Sequence, residues 1–308
     1  MRAVLLSYLA GFLLTSVCAA GAATFSIVEH EADYINVLEG KTPVLRYVRG
    51  EVLAPDVPEH RRRSTYVHPI YSPDGLPLTD DFPRDHRHHR GLSWMWQKVR
   101  FDGVSHDLWT LRGIHQRYVS HEARAMPDRA VLRVMNAWIE DSTGRRVIDE
   151  TVTITPHAAS ADGRIIDVEL RLAAMDTAVD LGVSGTGYSG LNLRFGPRSD
   201  TAITTSKGPI SADQDRKRYA WADLSGRFNA LASFDGIAIF DHPSNPHFPC
   251  GWTLRFYGDL NSAFTSTSAD YTIRPGSPLV LRYRLYVHRG KADPDQMYKM
   301  HRRFIDRD

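Results

Sequence analysis

Cysteine is nearly absent from this chain, with two residues in 308, Cys18 and Cys250. Two cysteines exclude a disulfide framework and a Cys-rich zinc module. An excess of one charge is also missing. Lys and Arg number 38 against 36 Asp and Glu, a formal +2, which argues against a nucleic-acid binder working through a basic surface. Beyond residue 23 no long apolar run occurs, so no transmembrane helix is expected in the mature chain. The phosphate-cradling Gly-x-x-x-x-Gly-Lys, the Gly-x-Ser-x-Gly elbow and His-Glu-x-x-His are all lacking. What is plentiful is histidine, with 14 residues, which directs attention to acid–base or metal chemistry.

The N-terminus reads as a secretory signal peptide. Met1-Arg2 is a short positive start, Ala3 to Val17 is apolar or small, and Cys18 to Ala23 is a small-residue cleavage zone. Ala20 and Ala22 place the cut after residue 22. A membrane anchor is the alternative, but the apolar stretch is short for a span and no positive cluster follows it. A lipoprotein signal at Cys18 is disfavoured by the bulky Val17 before it. The expectation is an exported protein, periplasmic or secreted, whose single domain covers residues 23–308. Cys250 alone remains after cleavage, so no internal disulfide forms and the core must hold the fold.

The rest reads as strands. In Arg164–Leu172, Ile166, Val168, Leu170 and Leu172 alternate with Asp167, Glu169 and Arg171, the period of a half-buried antiparallel strand. Val280–His288 repeats it. Similar runs are Phe25–Glu29, Tyr34–Leu38, Val44–Val48, Leu92–Phe101, Gln116–Ala123, Ala130–Ile139, Val147–Thr155, Gly190–Phe195, Ile237–Phe240 and Gly251–Tyr257. Turn residues such as Ser72-Pro-Asp-Gly75 and Asp102-Gly103 punctuate them. Many strands without intervening helices predict an all-β fold. The form expected is a large antiparallel β-sandwich, with the mutarotase-like supersandwich as one version. One short helix is expected at the C-terminus. Asp293-Pro294 supplies N-cap and N1, and Met297, His301, Phe304 and Ile305 form its apolar stripe.

Two proline-rich segments hold six of the histidines: His68, His86, His88, His89, His242 and His247. The first leads from His68-Pro-Ile-Tyr-Ser-Pro-Asp-Gly75 to Asp85-His-Arg-His-His-Arg-Gly91. If extended, it places His86, His88 and Arg90 on one face. His-x-His on one face suits a divalent metal, and His beside Asp equally suits an acid–base pair. Trp94 and Trp96 follow on one strand face, a sugar-stacking platform if exposed and core if buried. The second segment, Phe240-Asp-His-Pro-Ser-Asn-Pro-His-Phe-Pro249, presents Asp241, His242, Asn245 and His247 from a stiff loop, either as a site or as a turn capping backbone amides. Tyr188, Asn192 and Arg194 share a strand face, and Trp221 with Asp223 could pair as platform and acid. Cys250, between Pro249 and Gly251, is expected to pack rather than react.

In this order, His68–Gly75, Asp85–Leu92, Tyr188–Arg194, Trp221–Gly226, Asp241–His247 and Tyr283–Gly290 together resemble the PmoA-like family, domain of unknown function 6807, over about residues 25–305. The Asp-His-x-His-His-Arg-Gly segment is the most specific part. Ser93 departs from the pattern, standing where relatives more often have an aromatic residue. The resemblance implies an all-β fold and a companion of bacterial sugar-processing systems.

The leading functional expectation is a carbohydrate-active enzyme, a lyase, hydrolase or epimerase, acting on a small-molecule or oligosaccharide substrate. Asp85, His86, His88, His89, Asp241 and His242 would carry acid–base chemistry in one shared cleft. His68, Arg90, Trp94, Trp96, Arg194, Trp221, Asp223, Asn245 and His247 would bind substrate. A metal-dependent enzyme with Zn, Fe or Cu on His86, His88 and His242 is the first alternative. A non-catalytic glycan-binding module is the second.

Overall fold

The protein is described by a computed structural model covering residues 24–30, 33–182, 185–229, 233–265 and 270–306. The expected signal segment, with Cys18, lies outside the described residues.

Strand periodicity decides the architecture. Ile166, Val168, Leu170 and Leu172 are all buried, while Arg171 on the opposite face is exposed. Strands of this kind must cover their apolar face with a second layer. Here that layer is another sheet. Two nine-stranded antiparallel sheets form, with a third, four-stranded one beside them. The first runs, in spatial order, Phe25–His30, Tyr34–Glu39, Thr42–Val48, Tyr66–Ile70, Leu92–Trp96, Ser189–Arg194, Asp259–Ala263, Gly251–Arg255 and Gln214–Arg218. The second is built around Trp221–Phe228, Asp235–Asp241, Leu279–Arg289, Gly163–Ala174, Arg146–Pro156, Ala130–Glu140 and Ile114–Ala125. The all-β expectation therefore holds, as does the short C-terminal helix.

The two large sheets share an apolar core. Trp96 of the first meets Trp138 of the second, with ring centroids 5.6 Å apart. Within this core sits one carboxylate, Glu150, 1% exposed. It accepts hydrogen bonds from Asn136 Nδ2 (2.7 Å), Trp138 Nε1 (2.7 Å) and Gln116 Nε2 (3.0 Å). Asn136 Nδ2 also reaches Tyr47 Oη at 3.0 Å, so the network ties the second sheet to the first. Burial pushes the Glu150 carboxyl up, and the three donors partly oppose that.

The predicted run Leu92–Phe101 is broken. Its first part, Leu92–Trp96, belongs to the first sheet, and Val99–Phe101 crosses to the four-stranded one. Several strands lacked an apolar alternation to announce them, including Gln214–Arg218 at a sheet edge and Asp259–Ala263. The helix Pro294–Ile305 begins as expected, with Asp293 Oδ1 accepting from Asp295 N–H at 3.0 Å. Met297, His301 and Phe304 are its buried stripe, and it covers Trp221, Ala238, Phe240 and Tyr286 on the outer face of the second sheet. Among the described residues no helix is long and apolar enough to cross a membrane.

Candidate functional site

The strand Leu92–Trp96 sends Leu92, Trp94 and Trp96 into the core, and Ser189–Arg194 does the same with Leu191 and Leu193. Alternation then places Ser93, Asn192 and Arg194 on the outer face of the first sheet. Ser93 pairs with Asn192 in register, Asn192 with Asn261, and Arg194 with Asp259. These polar side chains are all 5% exposed or less, because the histidine loop lies over them.

That loop is not extended. His86 N–H donates to Pro83 O (3.1 Å) and His89 N–H to His86 O (2.9 Å), so it coils through successive turns. The proposed common face of His86, His88 and Arg90 is therefore lost. Instead the three imidazoles cluster, with His86–His88, His86–His89 and His88–His89 centroids 5.8, 4.8 and 4.6 Å apart. Two carboxylates fasten the loop. Asp81 accepts from Tyr66 Oη at 2.7 Å and lies 3.5 Å from Arg90 Nε. Asp85 accepts from Arg194 Nη2 at 2.7 Å on both oxygens and lies 3.0 Å from His86 Nδ1. Arg90 is 1% exposed and donates to the carbonyls of Arg87, His89 and Arg61. It therefore shapes the loop and is not open to substrate. His68 Nδ1 is engaged by Thr79 Oγ1 at 3.0 Å.

Gly91 ends the loop where the chain passes against the neighbouring strand. A Cβ there would fall 2.3 Å from Val67 O and 2.9 Å from His68 Cβ. Gly91→Ala is expected to cost about 1–3 kcal/mol by overpacking, read as a lower denaturant midpoint with the histidine ring resonances displaced.

Beneath the loop, Asp259 is fully buried and neither carboxylate oxygen has a hydrogen-bond partner. His89 Nδ1 stands 3.4 Å from Asp259 Oδ1. The Asn192 amide, Ser93 Oγ, and Nε and Nη1 of Arg194 are likewise buried without hydrogen-bond partners. Buried donors and acceptors left open side by side are costly in a dry core and well suited to a group that both donates and accepts. Aromatic rings stand around His89 and His86 above these groups. Trp109 approaches His89 at 5.9 Å, Tyr188 approaches Trp109 at 5.3 Å, and Tyr257 stacks on His86 at 4.8 Å with 17° between planes. Tyr257 is 37% exposed. Asp85, Arg194 and Tyr257 also line an adjoining cleft of about 610 Å³.

The electrostatics separate the histidines. Burial, then the charges of His89, Arg61, His86 and Arg90, bring His88 down to about 3, so it is neutral at neutral pH and a poor proton acceptor there. Burial and the charges of Arg46 and Arg90 bring His68 to about 4. For Asp85, burial pushes upward, but the hydrogen bonds from Arg194 and His86 and the Arg194 charge outweigh it and hold the carboxyl at about 2. A depressed carboxyl stabilises above its ordinary 3.8 and loses that contribution as pH falls through about 2. Carboxyl ¹³C titration should therefore find the Asp85 midpoint near 2. A midpoint near 3.8 would mean that the Arg194 clamp does not form in solution.

The second histidine segment lies elsewhere. Asp241 accepts from Asn245 Nδ2 (2.7 Å) and Cys250 N–H (3.1 Å), and Asn245 Oδ1 accepts from Arg282 N–H (2.7 Å). These bonds close the loop and tie it to the strand Leu279–Arg289. His242 meets Ser244 Oγ at 2.7 Å and Phe304 of the helix at 4.8 Å, while His247 stacks on Phe264 at 5.4 Å. His242 thus packs with the helix on the outer face of the second sheet, whereas His86, His88 and His89 cover the outer face of the first. The two segments are not brought into one cleft, and His242 cannot join His86 and His88 around a metal. Among the described residues no three His, Cys, Asp or Glu are arranged to hold one.

The tryptophans are corrected as well. Trp94 and Trp96 are fully buried in the core, and Trp221 lies under the helix at 4% exposure, so none is open to stack on a sugar. Asp223 is fully buried and ion-paired with His288 Nε2 at 2.7 Å. The residues not anticipated are Tyr257, Asp259 and Trp109. Sequence alone placed Tyr257 at the end of the run Gly251–Tyr257, and the strand that follows it carried no alternation to reveal a hairpin. The structure puts it at the tip of the hairpin between Gly251–Arg255 and Asp259–Ala263, outside the core.

Solved structures with a similar course of chain share little sequence. An α-galactosidase from Lactobacillus brevis matches at 8% identity and TM-score 0.39, over 90% of this chain and 40% of that one. Heparan sulfate lyase HepC from Pedobacter heparinus matches at 8% and 0.35, over 89% and 36%. The 4-α-glucanotransferase from Thermococcus litoralis matches at 8% and 0.32, over 88% and 40%. This chain thus spans about two fifths of the length of each. No curated protein matches the sequence. A family of unknown function, DUF6807, matches residues 34–302, and the chain belongs to that family.

Proposed function

We propose that the outer face of the first sheet is a carbohydrate site of an exported enzyme, in which His89 moves a proton and Asp259 orients it. The observation that carries this reading is the fully buried Asp259 carboxylate, unbonded on both oxygens and 3.4 Å from His89 Nδ1. Asp259 on Nδ1 fixes the tautomer and leaves Nε2 as the working nitrogen. The 3.4 Å separation is longer than a well-formed hydrogen bond, and such contacts commonly tighten when substrate binds. Arg194 reaches the adjoining cleft, and Asn192 and Ser93 stand beside it beneath the loop with unbonded donors and acceptors. Tyr257, stacked on His86 and approached by the Arg194 guanidinium at 4.8 Å, keeps a partly exposed aromatic surface at the rim for apolar contact with a sugar.

The test is to incubate the purified chain with a panel of glycosides and oligosaccharides, following new reducing ends, unsaturated products and epimers by NMR. Product formation that disappears in Asp259→Asn supports the reading. Sugar binding without any product would instead make this face a glycan-binding surface.

A further inference from the structure

The cleft beside Tyr257 contains a charge that the proton-transfer chemistry does not use. Three arginines line it, Arg84, Arg194 and Arg198, against two carboxylates, Asp80 and Asp85. Asp85 is committed to Arg194 and His86. Arg198 donates only to carbonyls, from Nη1 to Gly196 O and from Nη2 to Phe256 O, both at 2.9 Å. Its Nε is buried without a hydrogen-bond partner, and among the described residues no carboxylate pairs with it. The hairpin turn is shaped around this side chain. Gly258 has φ +115°, and a Cβ there would fall 2.4 Å from Arg198 Nη1. Burial and the neighbouring Arg194 charge lower the Arg198 guanidinium to about 10, which leaves it cationic at neutral pH. A mostly buried cation held by neutral carbonyls is costly until an anion arrives.

We infer that this cleft receives the carboxylate of an acidic sugar, a uronate, against Arg198, with Arg84 at its rim and the sugar ring on Tyr257. The inference rests on the carbohydrate reading above and adds the substrate class. A guanidinium matches a planar carboxylate in shape as well as charge. Tyr257 lines the Arg198 cleft and lies 6.4 Å from the His89 ring, so one sugar against it can present its carboxylate to Arg198 and its hydroxyls toward His89.

The experiment compares matched pairs that differ only at C6. Methyl glucuronide is set against methyl glucoside, and methyl galacturonide against methyl galactoside, by titration calorimetry on the full mature chain. In at least one pair the acidic member is expected to bind about 10- to 100-fold more tightly, as a charge-assisted contact provides. Arg198→Gln is expected to bring that ratio close to one, and Arg198→Lys to keep part of it. Because Arg198 also holds two carbonyls, Arg84→Ala serves as a second variant at an exposed position, lowering the ratio partially and in a salt-dependent way. Equal affinities within both pairs overturn this inference and leave the carbohydrate reading standing. No binding of any sugar overturns both. A preference that survives intact in folded Arg198→Gln overturns the assignment of the carboxylate to Arg198.

Discussion

His89→Gln is expected to reduce turnover by about 10²- to 10⁴-fold, the range that a positioned acid–base group contributes. The thermal unfolding midpoint should move little. Glutamine keeps hydrogen-bonding atoms near Asp259 but cannot take up and release a proton near neutral pH. Glutamine fills part of the space the ring takes among His86, His88 and Trp109, and the loop is fastened separately by Asp81 to Tyr66 and Arg90, and by Asp85 to Arg194. Asp259→Asn should reduce turnover in the same direction, through the lost imidazole orientation. His88→Gln is the internal control. Its imidazole is already neutral at neutral pH, so its loss should leave turnover near that of the parent chain. If His89→Gln retains full turnover, the proton-transfer site is not here.

Glu150→Ala is expected to cost about 3–5 kcal/mol, from buried donors stranded at about 1–3 kcal/mol each and from the cavity it opens. Gln116, Asn136 and Trp138 would each keep a buried N–H that had been donating to the lost carboxylate, and unsatisfied buried donors are expensive. The cavity adds to this, because Trp138 packs on Trp96 across the two sheets. A denaturant titration measures it, and a change below about 1 kcal/mol would mean that these donors find other partners. Glu150→Gln should be milder than alanine in volume yet still destabilising, since its amide turns a donor toward donors. The site on the outer face should survive in whatever fraction stays folded, because no Glu150 contact reaches it.

The sequence by itself determined the fold class. Strict alternation in Arg164–Leu172 and Val280–His288 leaves no helical solution, and a capped stripe from Asp293 to Ile305 leaves no strand one. It also located the histidine loop, because Asp, His and Arg cannot accumulate so densely in an apolar core without partners. Alternation along Tyr188–Arg194 already put Asn192 and Arg194 on one face.

Tertiary structure decided which of these groups meet. The outer face of a sheet is open or covered depending on what folds over it, and no local pattern states that. The helix covers Trp221 and Phe240, so Trp221 became packing. The histidine loop covers Asp259, so a carboxylate in an unremarkable strand became the partner of His89. Asp241 and His242, as rich in chemistry on paper as Asp85 and His86, were spent on closing a turn and packing against Phe304. Register set the rest. Arg194 stands beside Asp259 only because Ser189–Arg194 and Asp259–Ala263 pair with no slip, and shifting that pairing by one residue would turn the carboxylate into the core.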